Sequence, residues 1–291
     1  KDVDAKLAGA SKIVKATYVH GYQMHGSMGT SCAVADVRDG KATIWSATQS
    51  VFPTRNTAAM LMGMKPEDVH VIFTMGSGCY GLNGADTVSY DAALMSQAVG
   101  RPVRVQLMRK DEMAWENYGT AYVIDQRVAV TGTGADATIV AGDYEAGTPG
   151  LGGRPGYTNP GNVISGFLAG AEPQPFRPQS PAPDPVAYVN SLNIAPSYVT
   201  GTVGGRRGGT GTVASERVLS HNLRSHFWTG PLRSPERLQN TFAHESFIDE
   251  VAAAVKADPV EYRLRHLADP RLMEVVRAAA KGAGWQTRPS P

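Results

Sequence analysis

Cysteine is scarce in this sequence, which has only two among its 291 residues. Cys32 and Cys79 lie far apart and form no C-x-x-C pair. Iron–sulfur clusters and thiolate zinc sites both need several cysteines at characteristic spacings. We therefore assign no metal ligand to this chain, and expect any electron-carrying cluster to lie on another chain.

Long apolar runs and a strong excess of either charge are also absent. No stretch of about 18 apolar residues occurs, so the sequence predicts no transmembrane helix. Charged residues make up 19% of the chain, and the formal net charge is only +2. Such a balance provides no basic patch for nucleic acid, so we expect no nucleic-acid partner. The first residues, Lys1-Asp2-Val3-Asp4, resemble neither a signal peptide nor an initiator-methionine product, and we expect a cut or processed chain.

The most informative stretch is the glycine loop, Met75-Gly76-Ser77-Gly78-Cys79-Tyr80-Gly81-Leu82-Asn83-Gly84. Alternating apolar residues before it predict a strand over 69–74, and apolar residues at helical spacing after it predict a helix over 85–99. Glycines permit sharp bends and close backbone approach, and leave N–H groups free to face a ligand. The pattern is typical of a site for an anionic or oxygen-rich small molecule.

The spacing Gly76-x-Gly78-x-x-Gly81 also matches the dinucleotide-binding fingerprint. That fingerprint requires a helix that starts within the glycines and an acidic residue about 20 positions later. Here the loop is longer, and the next strand ends in Arg109-Lys110-Asp111. A nicotinamide-dependent oxidoreductase is therefore an alternative hypothesis, as is a glycine-rich turn without a ligand.

The remaining pattern predicts an α+β fold with mixed or antiparallel sheets, packed helices and a long Gly/Pro-rich loop. Asp39-Gly40 predicts a hairpin turn between two strands. The other predicted elements are strands over 11–20, 32–37, 42–47, 101–108, 122–130 and 138–146, and a short helix over 55–62.

We divide the chain into three parts. Residues 1–146 form a first α+β subdomain that contains the glycine loop. Residues 147–210 form a Gly/Pro-rich excursion, because nine of the nineteen prolines fall within 147–187. Residues 211–291 form a helical part that we expect to end mid-protein, with Asp258-Pro259 and Asp269-Pro270 each starting a helix.

Four ordered features resemble the molybdopterin-binding large subunit of the xanthine oxidase and aldehyde oxidase family. The chain is most similar to the bacterial branch of isoquinoline oxidoreductase, nicotinate dehydrogenase and aldehyde dehydrogenase large subunits. The features are Ala47-Thr48-Gln49; Met75-Gly76-x-Gly78 with Tyr80-Gly81; Gly100-Arg101-Pro102-Val103; and Arg233 followed by Glu245-Ser246-Phe247-Ile248-Asp249-Glu250 and Asp258-Pro259-Val260-Glu261-Tyr262-Arg263.

The resemblance implies specific roles. Gln49 corresponds to a glutamine whose amide hydrogen-bonds a molybdenum oxo ligand, and Arg233 to an arginine that contacts substrate or cofactor. Gly78, Cys79, Tyr80 and Gly81 match the loop that lies against the cofactor, with either Cys79 or Tyr80 in the place of the usual phenylalanine. The implied cofactor is molybdopterin, in the cytosine dinucleotide form.

The resemblance also implies partners. The family's catalytic glutamate lies near the end of the large subunit, and nothing after Trp285 supplies it. The obvious carboxylates within this chain that could replace it are Glu112, Glu116 and Glu245. Of these, Glu112 resembles a structural acid and Glu245 a salt-bridge partner. We therefore expect a middle section whose site is completed by another large-subunit section carrying the glutamate. The implied redox partners are a small 2Fe–2S subunit and a cytochrome c or flavin subunit, in the bacterial periplasm or cytoplasm, soluble or peripherally bound to a membrane. The remaining alternative is a non-catalytic assembly module.

Overall fold

The computed structural model describes residues 2–81, 85–149, 161, 163–172, 202–203, 206–207, 211–213, 215–223, 225–234 and 237–289. Most of the predicted Gly/Pro-rich excursion, and residues 82–84 of the glycine loop, lie outside the described residues. Below, the glycine loop means residues 75–81. No helix in the described ranges is long and apolar enough to cross a membrane.

A first four-stranded sheet carries the glycine loop. Its strand order is β4-β3-β2-β5, and its strands are β2 Cys32–Arg38, β3 Lys41–Ser46, β4 Val69–Phe73 and β5 Val103–Gln106. The predicted hairpin is confirmed, since β2 and β3 pair antiparallel around Asp39 (φ 51°) and Gly40 (φ 72°). These positive φ values suit the type I′ turn that Asp-Gly favours.

Two helices cover one face of this sheet, α2 Val51–Met62 and α3 Ala85–Val99. Alternate residues of β2 and β3, such as Ala35 and Ile44, point into the apolar core beneath these helices. The predicted helix over 85–99 is confirmed. The helix α2 begins four residues earlier than the predicted residue 55, because Pro53 falls in the first turn, where no backbone N–H is needed.

The second sheet has the order β1-β6-β7-β10. Its strands are β1 Lys12–His20, β6 Tyr122–Thr131, β7 Thr138–Thr148 and β10 Glu216–Asn222. The helix α6, Arg237–Val255, packs on one face through Phe247 and Val251, and α1, Val3–Ala8, packs on the other through Val3 and Leu7. The mixed, layered α+β architecture is therefore as predicted.

The structure corrects two further predictions. Residues 211–291 are not all helical, because β10 adds a strand parallel to β7. The strand predicted over 101–108 ends at Gln106, and an unpredicted helix, α4 Arg109–Trp115, follows. Its sequence has no apolar stripe, since the helix buries the carboxylate Glu112 instead of a large apolar side chain.

The remaining α-helices and strands in the described ranges are short or C-terminal. They are α5 Ile164–Leu168, the antiparallel pair β8 Thr202–Val203 and β9 Arg206–Arg207, α7 Pro259–His266 and α8 Pro270–Gly282. The predicted helix starts at Asp258 and Asp269 are confirmed, because each carboxylate accepts two backbone N–H groups of the first turn.

We expect Asp258→Ala to lower the free energy of unfolding by about 2 kcal/mol, at the upper end for an N-cap. Besides Val260 and Glu261 N–H, the Asp258 carboxylate accepts Arg288 N–H at 2.9 Å and Trp285 Nε1–H at 3.0 Å, so it also fastens the segment after α8. Urea unfolding checks this value. The matched control is Asp269→Ala, which removes a more exposed cap without the additional bonds and should cost about 1 kcal/mol. Equal losses in both variants would contradict the role of the additional bonds.

Candidate functional site

Two predicted site segments leave the first sheet at the same edge. The strands β3 and β4 are parallel, with Ser46 opposite Phe73, so their carboxyl ends lie side by side. Thr74 N–H donates to Ser46 O at 2.9 Å and continues the pairing past the strands. Residues 47–49 and the glycine loop therefore start next to each other, and a Cβ built on Gly76 would lie 2.6 Å from the Ala47 Cβ.

The glycine loop has a backbone path that most residue types resist. The φ angles are 112° at Gly78, 48° at Tyr80 and 116° at Gly81. Angles near 115° are accessible essentially to glycine alone. The Tyr80 ring folds back over Gly78, because a Cβ on Gly78 would stand 3.1 Å from its Cζ and hydroxyl oxygen.

The segment around Arg233 packs directly against this loop. Arg233 N–H donates to Tyr80 O at 2.5 Å. A Cβ on Gly81 would lie 2.1 Å from Pro231 O, so the two backbones touch and only glycine fits. We call residues 229–233 the arginine segment. Its contact with the glycine loop joins two parts of the chain that are remote in sequence.

A third segment, the 21–31 loop, is held by the helix α4. The buried Glu112 carboxylate accepts Ser31 N–H at 3.1 Å and also the Ser31 hydroxyl. Arg109 donates to the carbonyls of Ser27 and Met28, and its Nη1 lies 3.3 Å from Glu112. Gly29 N–H in turn donates to Ser77 Oγ at 2.9 Å, which ties this loop to the glycine loop.

A groove of about 430 Å³, which we call the loop groove, lies between the 21–31 loop, the glycine loop and the open face of the first sheet. Its volume falls within the roughly 300–1,000 Å³ of small-molecule sites. Glycines and hydroxyl side chains line its sides, and Cys32, Val34 and Trp45 of the open sheet face form an apolar floor. The side residues are Gly29, Thr30, Ser31, Thr74, Gly76, Ser77 and Gly78.

The predicted site residues have different positions in this arrangement. Gly78 lines the loop groove, and Cys79, Tyr80 and Gly81 follow it and are partly buried. Gln49 and Arg233 have exposed side chains, Gln49 beside the start of the glycine loop and Arg233 beside Tyr80. From the sequence alone we did not assign the 21–31 loop to the site. Its run Gly26-Ser27-Met28-Gly29-Thr30-Ser31 nevertheless carries the same mixture of glycine and hydroxyl residues as the glycine loop.

The three internal carboxylates are all engaged in structural contacts. Glu112 is buried and holds Ser31, as expected of a structural acid. Glu245 Oε2 accepts Arg263 Nε–H at 2.9 Å, which confirms the predicted salt bridge. Glu116 accepts the N–H of His25 at 2.7 Å. None of the three lines the loop groove.

Comparison with known proteins supports the predicted relationship. Residues 1–146, half of the chain, match the family described as molybdopterin cofactor-binding domain. The chain belongs to this molybdopterin cofactor-binding family. The matched residues include the whole first sheet, Gln49, the glycine loop and the 21–31 loop.

The curated relatives that the chain matches are much longer than the chain. It is 35% identical over 291 residues to a nicotinate dehydrogenase component from Pseudomonas putida, covering all of this chain and 22% of that protein. It is 25% identical over 269 residues to the beta component of isoquinoline 1-oxidoreductase from Brevundimonas diminuta, covering 89% of this chain and 29% of that protein. The chain thus spans between a fifth and a third of the length of these relatives.

Solved structures show the same fold. The aldehyde oxidoreductase from Desulfovibrio gigas superposes with a TM-score of 0.66 at 18% identity, over 97% of this chain and 29% of that chain. Quinoline 2-oxidoreductase from Pseudomonas putida 86 gives 0.65 at 18% identity, over 97% and 34%. The molybdopterin cofactor-binding fold therefore extends beyond residue 146 to nearly the whole chain.

Proposed function

We propose that this chain forms one wall of the cofactor site in a molybdenum hydroxylase. The complete enzyme would oxidise an aldehyde or an aromatic N-heterocycle, with oxygen derived from water. When bound, the molybdenum cofactor would supply the redox chemistry of that reaction. The observation that supports the proposal is the loop groove, which the glycine loop lines with Gly76, Ser77 and Gly78. The same glycine loop contacts the arginine segment through Tyr80 and Gly81.

The residues of the loop groove fit a planar, polar heterocycle such as a pterin. An added Cβ on Gly29 would collide with the Ser77 side chain, and one on Gly76 with the Ala47 side chain. The backbone of each glycine therefore packs directly against a neighbouring side chain. Hydroxyl groups of Thr30, Ser31 and Ser77 offer donors and acceptors at the sides. We infer that the residues from Gly78 to Gly81 lie against this cofactor, and that it has the cytosine dinucleotide form.

Gln49 and Arg233 would act at the edge of the same site. An exposed amide can donate a hydrogen bond, which we assign for Gln49 to an oxo ligand of molybdenum. The Arg233 guanidinium is exposed, while its backbone is fastened to Tyr80, so the cation is held next to the glycine loop. It would attract an anionic group of the cofactor or the substrate.

Another section of the large subunit and partner subunits would complete the site. Because Glu112, Glu116 and Glu245 are all engaged, we propose that the catalytic glutamate comes from another section of the large subunit. Two separate free cysteines provide no cluster ligands, so electrons would leave through a 2Fe–2S partner subunit and then a cytochrome c or flavin subunit.

A nicotinamide-dependent oxidoreductase is not supported by the sheet topology. In the first sheet, β5 is separated from β4 by β3 and by the antiparallel β2. A dinucleotide fold places the strands of successive βαβ units parallel in one sheet, with the glycine turn at its switch point.

Molybdenum and phosphorus analysis of the purified complex tests the proposed function. We expect stoichiometric molybdenum, with phosphorus in the ratio of a dinucleotide. The isolated chain should retain no stoichiometric cofactor, because it supplies one wall alone. A complex that contains nicotinamide and no molybdenum would support the dinucleotide alternative, and one that contains neither would support the assembly module.

Gln49→Ala is expected to slow turnover of the complex roughly tenfold to a hundredfold, with molybdenum content unchanged. Loss of one hydrogen bond to a charged group costs about 1.5–3 kcal/mol, which appears in the rate if the bond forms in the transition state. Steady-state kinetics with metal analysis measure both quantities. Asn56→Ala, an exposed amide change on α2, is the control and should leave the rate unchanged. Normal turnover in Gln49→Ala would contradict the assigned role.

A further inference from the structure

The buried side chain of His25, in the 21–31 loop, lies between Glu116, the residue after the helix α4, and Pro231 of the arginine segment. The His25 side chain is 0% exposed, and that of Glu116 is 4% exposed. The His25 backbone N–H donates to Glu116 Oε1 at 2.7 Å, and the same oxygen lies 3.6 Å from the ring Nδ1. Glu116 therefore holds the backbone of His25 by a hydrogen bond, whereas ring Nδ1 lies beyond hydrogen-bond distance of the same oxygen.

The other ring nitrogen reaches the arginine segment. His25 Nε2 lies 2.9 Å from Pro231 O. A carbonyl oxygen can only accept, so Nε2–H is the donor. Pro231 O is also the atom that the backbone at Gly81 approaches most closely, as the 2.1 Å distance to an added Cβ shows. The imidazole thus fixes the oxygen against which the glycine loop packs.

Two other contacts hold the arginine segment, one backbone hydrogen bond near its start and the packing of one apolar side chain. Gly230 N–H donates to Tyr118 O at 2.9 Å. Leu232 packs against Gly119, where an added Cβ would stand 2.8 Å from the Leu232 Cβ. Between these anchors, His25 makes the side-chain hydrogen bond that the described structure shows to the Pro231 carbonyl. Without it, residues 231–233 could shift relative to Tyr80 and Gly81.

We propose that His25, whose backbone N–H is bound by Glu116, is a positioning residue that sets the distance between the arginine segment and the glycine loop, and so the position of Arg233 at the cofactor site. The part of this inference that places Arg233 at a cofactor site rests on the proposed function. The part in which His25 positions the arginine segment rests on the structure alone. Because its side chain is fully buried, we assign His25 no contact with substrate or cofactor. It acts through Pro231 on the backbone of Arg233.

The test compares two amide variants that differ by one methylene. In His25→Gln the side-chain amide can reach Pro231 O, whereas in His25→Asn it is too short. We expect hydrogen–deuterium exchange of residues 229–234 in the purified complex to be roughly tenfold faster in His25→Asn and to return close to the wild-type rate in His25→Gln, since one hydrogen bond is worth about a factor of ten. In parallel, KM should rise in His25→Asn more than kcat falls if Arg233 contacts the substrate, and molybdenum content should fall if it contacts the cofactor.

A matched control separates positioning from general destabilisation. Gln97→Leu removes another side-chain donor to a backbone carbonyl at 2.9 Å, from α3 to Met62 O, away from the arginine segment. It should leave the exchange of residues 229–234 unchanged. Equal exchange in His25→Asn and wild type, or equally fast exchange in the Asn and Gln variants, would overturn the proposal. The expected exchange pattern in a complex without molybdenum would instead uphold the positioning role and reject the proposed function.

Discussion

Gly81→Ala is expected to abolish cofactor retention and to lower the free energy of unfolding by about 3 kcal/mol or more. The new Cβ would lie 2.1 Å from Pro231 O and 2.5 Å from Arg233 N, both backbone atoms that cannot swing aside. In addition, a φ of 116° is strained for any residue with a Cβ. The arginine segment would have to separate from the glycine loop. Metal analysis of the complex and thermal unfolding measure the two effects.

Two glycine variants serve as controls for this prediction. Gly100→Ala introduces a Cβ at φ 62° with no atom within 4 Å, so it should cost only about 1 kcal/mol and leave the cofactor in place. Gly78→Ala combines a φ of 112° with a contact to the movable Tyr80 ring at 3.1 Å. Its losses of stability and of cofactor should lie between those of Gly100→Ala and Gly81→Ala. If Gly81→Ala retained full molybdenum and wild-type stability, the docking of the two segments would not be a requirement of the site.

Glu216→Gln is expected to raise the free energy of unfolding by about 3 kcal/mol at pH 8 and to change it little at pH 4. The strand β10 places this carboxyl in a small cavity beneath α6, near Gln126 and His244. Burial raises the pKa of the Glu216 carboxyl to about 7, from an ordinary value of 4.5. The folded state therefore favours the neutral acid.

The sign of the pH dependence follows from this shift. The stability associated with neutral Glu216 is fully present below pH 4.5, where the carboxyl of the unfolded chain is also protonated. It is lost as the pH rises through about 7, because the folded chain then buries a charge that the unfolded chain exposes to water. The difference between the two pKa values corresponds to about 3 kcal/mol. Glutamine is neutral at every pH and avoids the loss.

Urea unfolding between pH 4 and pH 8 checks this prediction. His244 should produce the opposite slope, because burial lowers its pKa to about 4, so that stability falls as the pH decreases below 6.5. In Glu216→Gln that acid-side slope should remain, while the loss toward pH 8 disappears. Glu274→Gln, an exposed change on α8, is the control with no effect at either pH. An equal gain at pH 4 and pH 8 would show that burial of the Glu216 charge is not the cause.

Short-range sequence patterns were sufficient to predict most of the helices and strands. Period-2 alternation located β1, β4, β6 and β7, Asp39-Gly40 located the hairpin, and the Asp-Pro pairs located the starts of α7 and α8. Each of these features depends on residues within a few positions of one another. The helix α4 had no such pattern, because its buried face is a carboxylate whose partners lie in the 21–31 loop.

The sequence alone determined the α+β class and the resemblance to the molybdopterin-binding family, and it predicted the glycine loop as the centre of the site. Only the tertiary structure decided that Gly81 must be glycine because of Pro231, that His25 donates to Pro231 O, and that β10 completes the second sheet. The physical reason is the range of the interactions. Turns, caps and amphipathic periods are local, whereas a backbone-to-backbone contact or a buried hydrogen bond between distant segments leaves no periodic trace in the residues that make it.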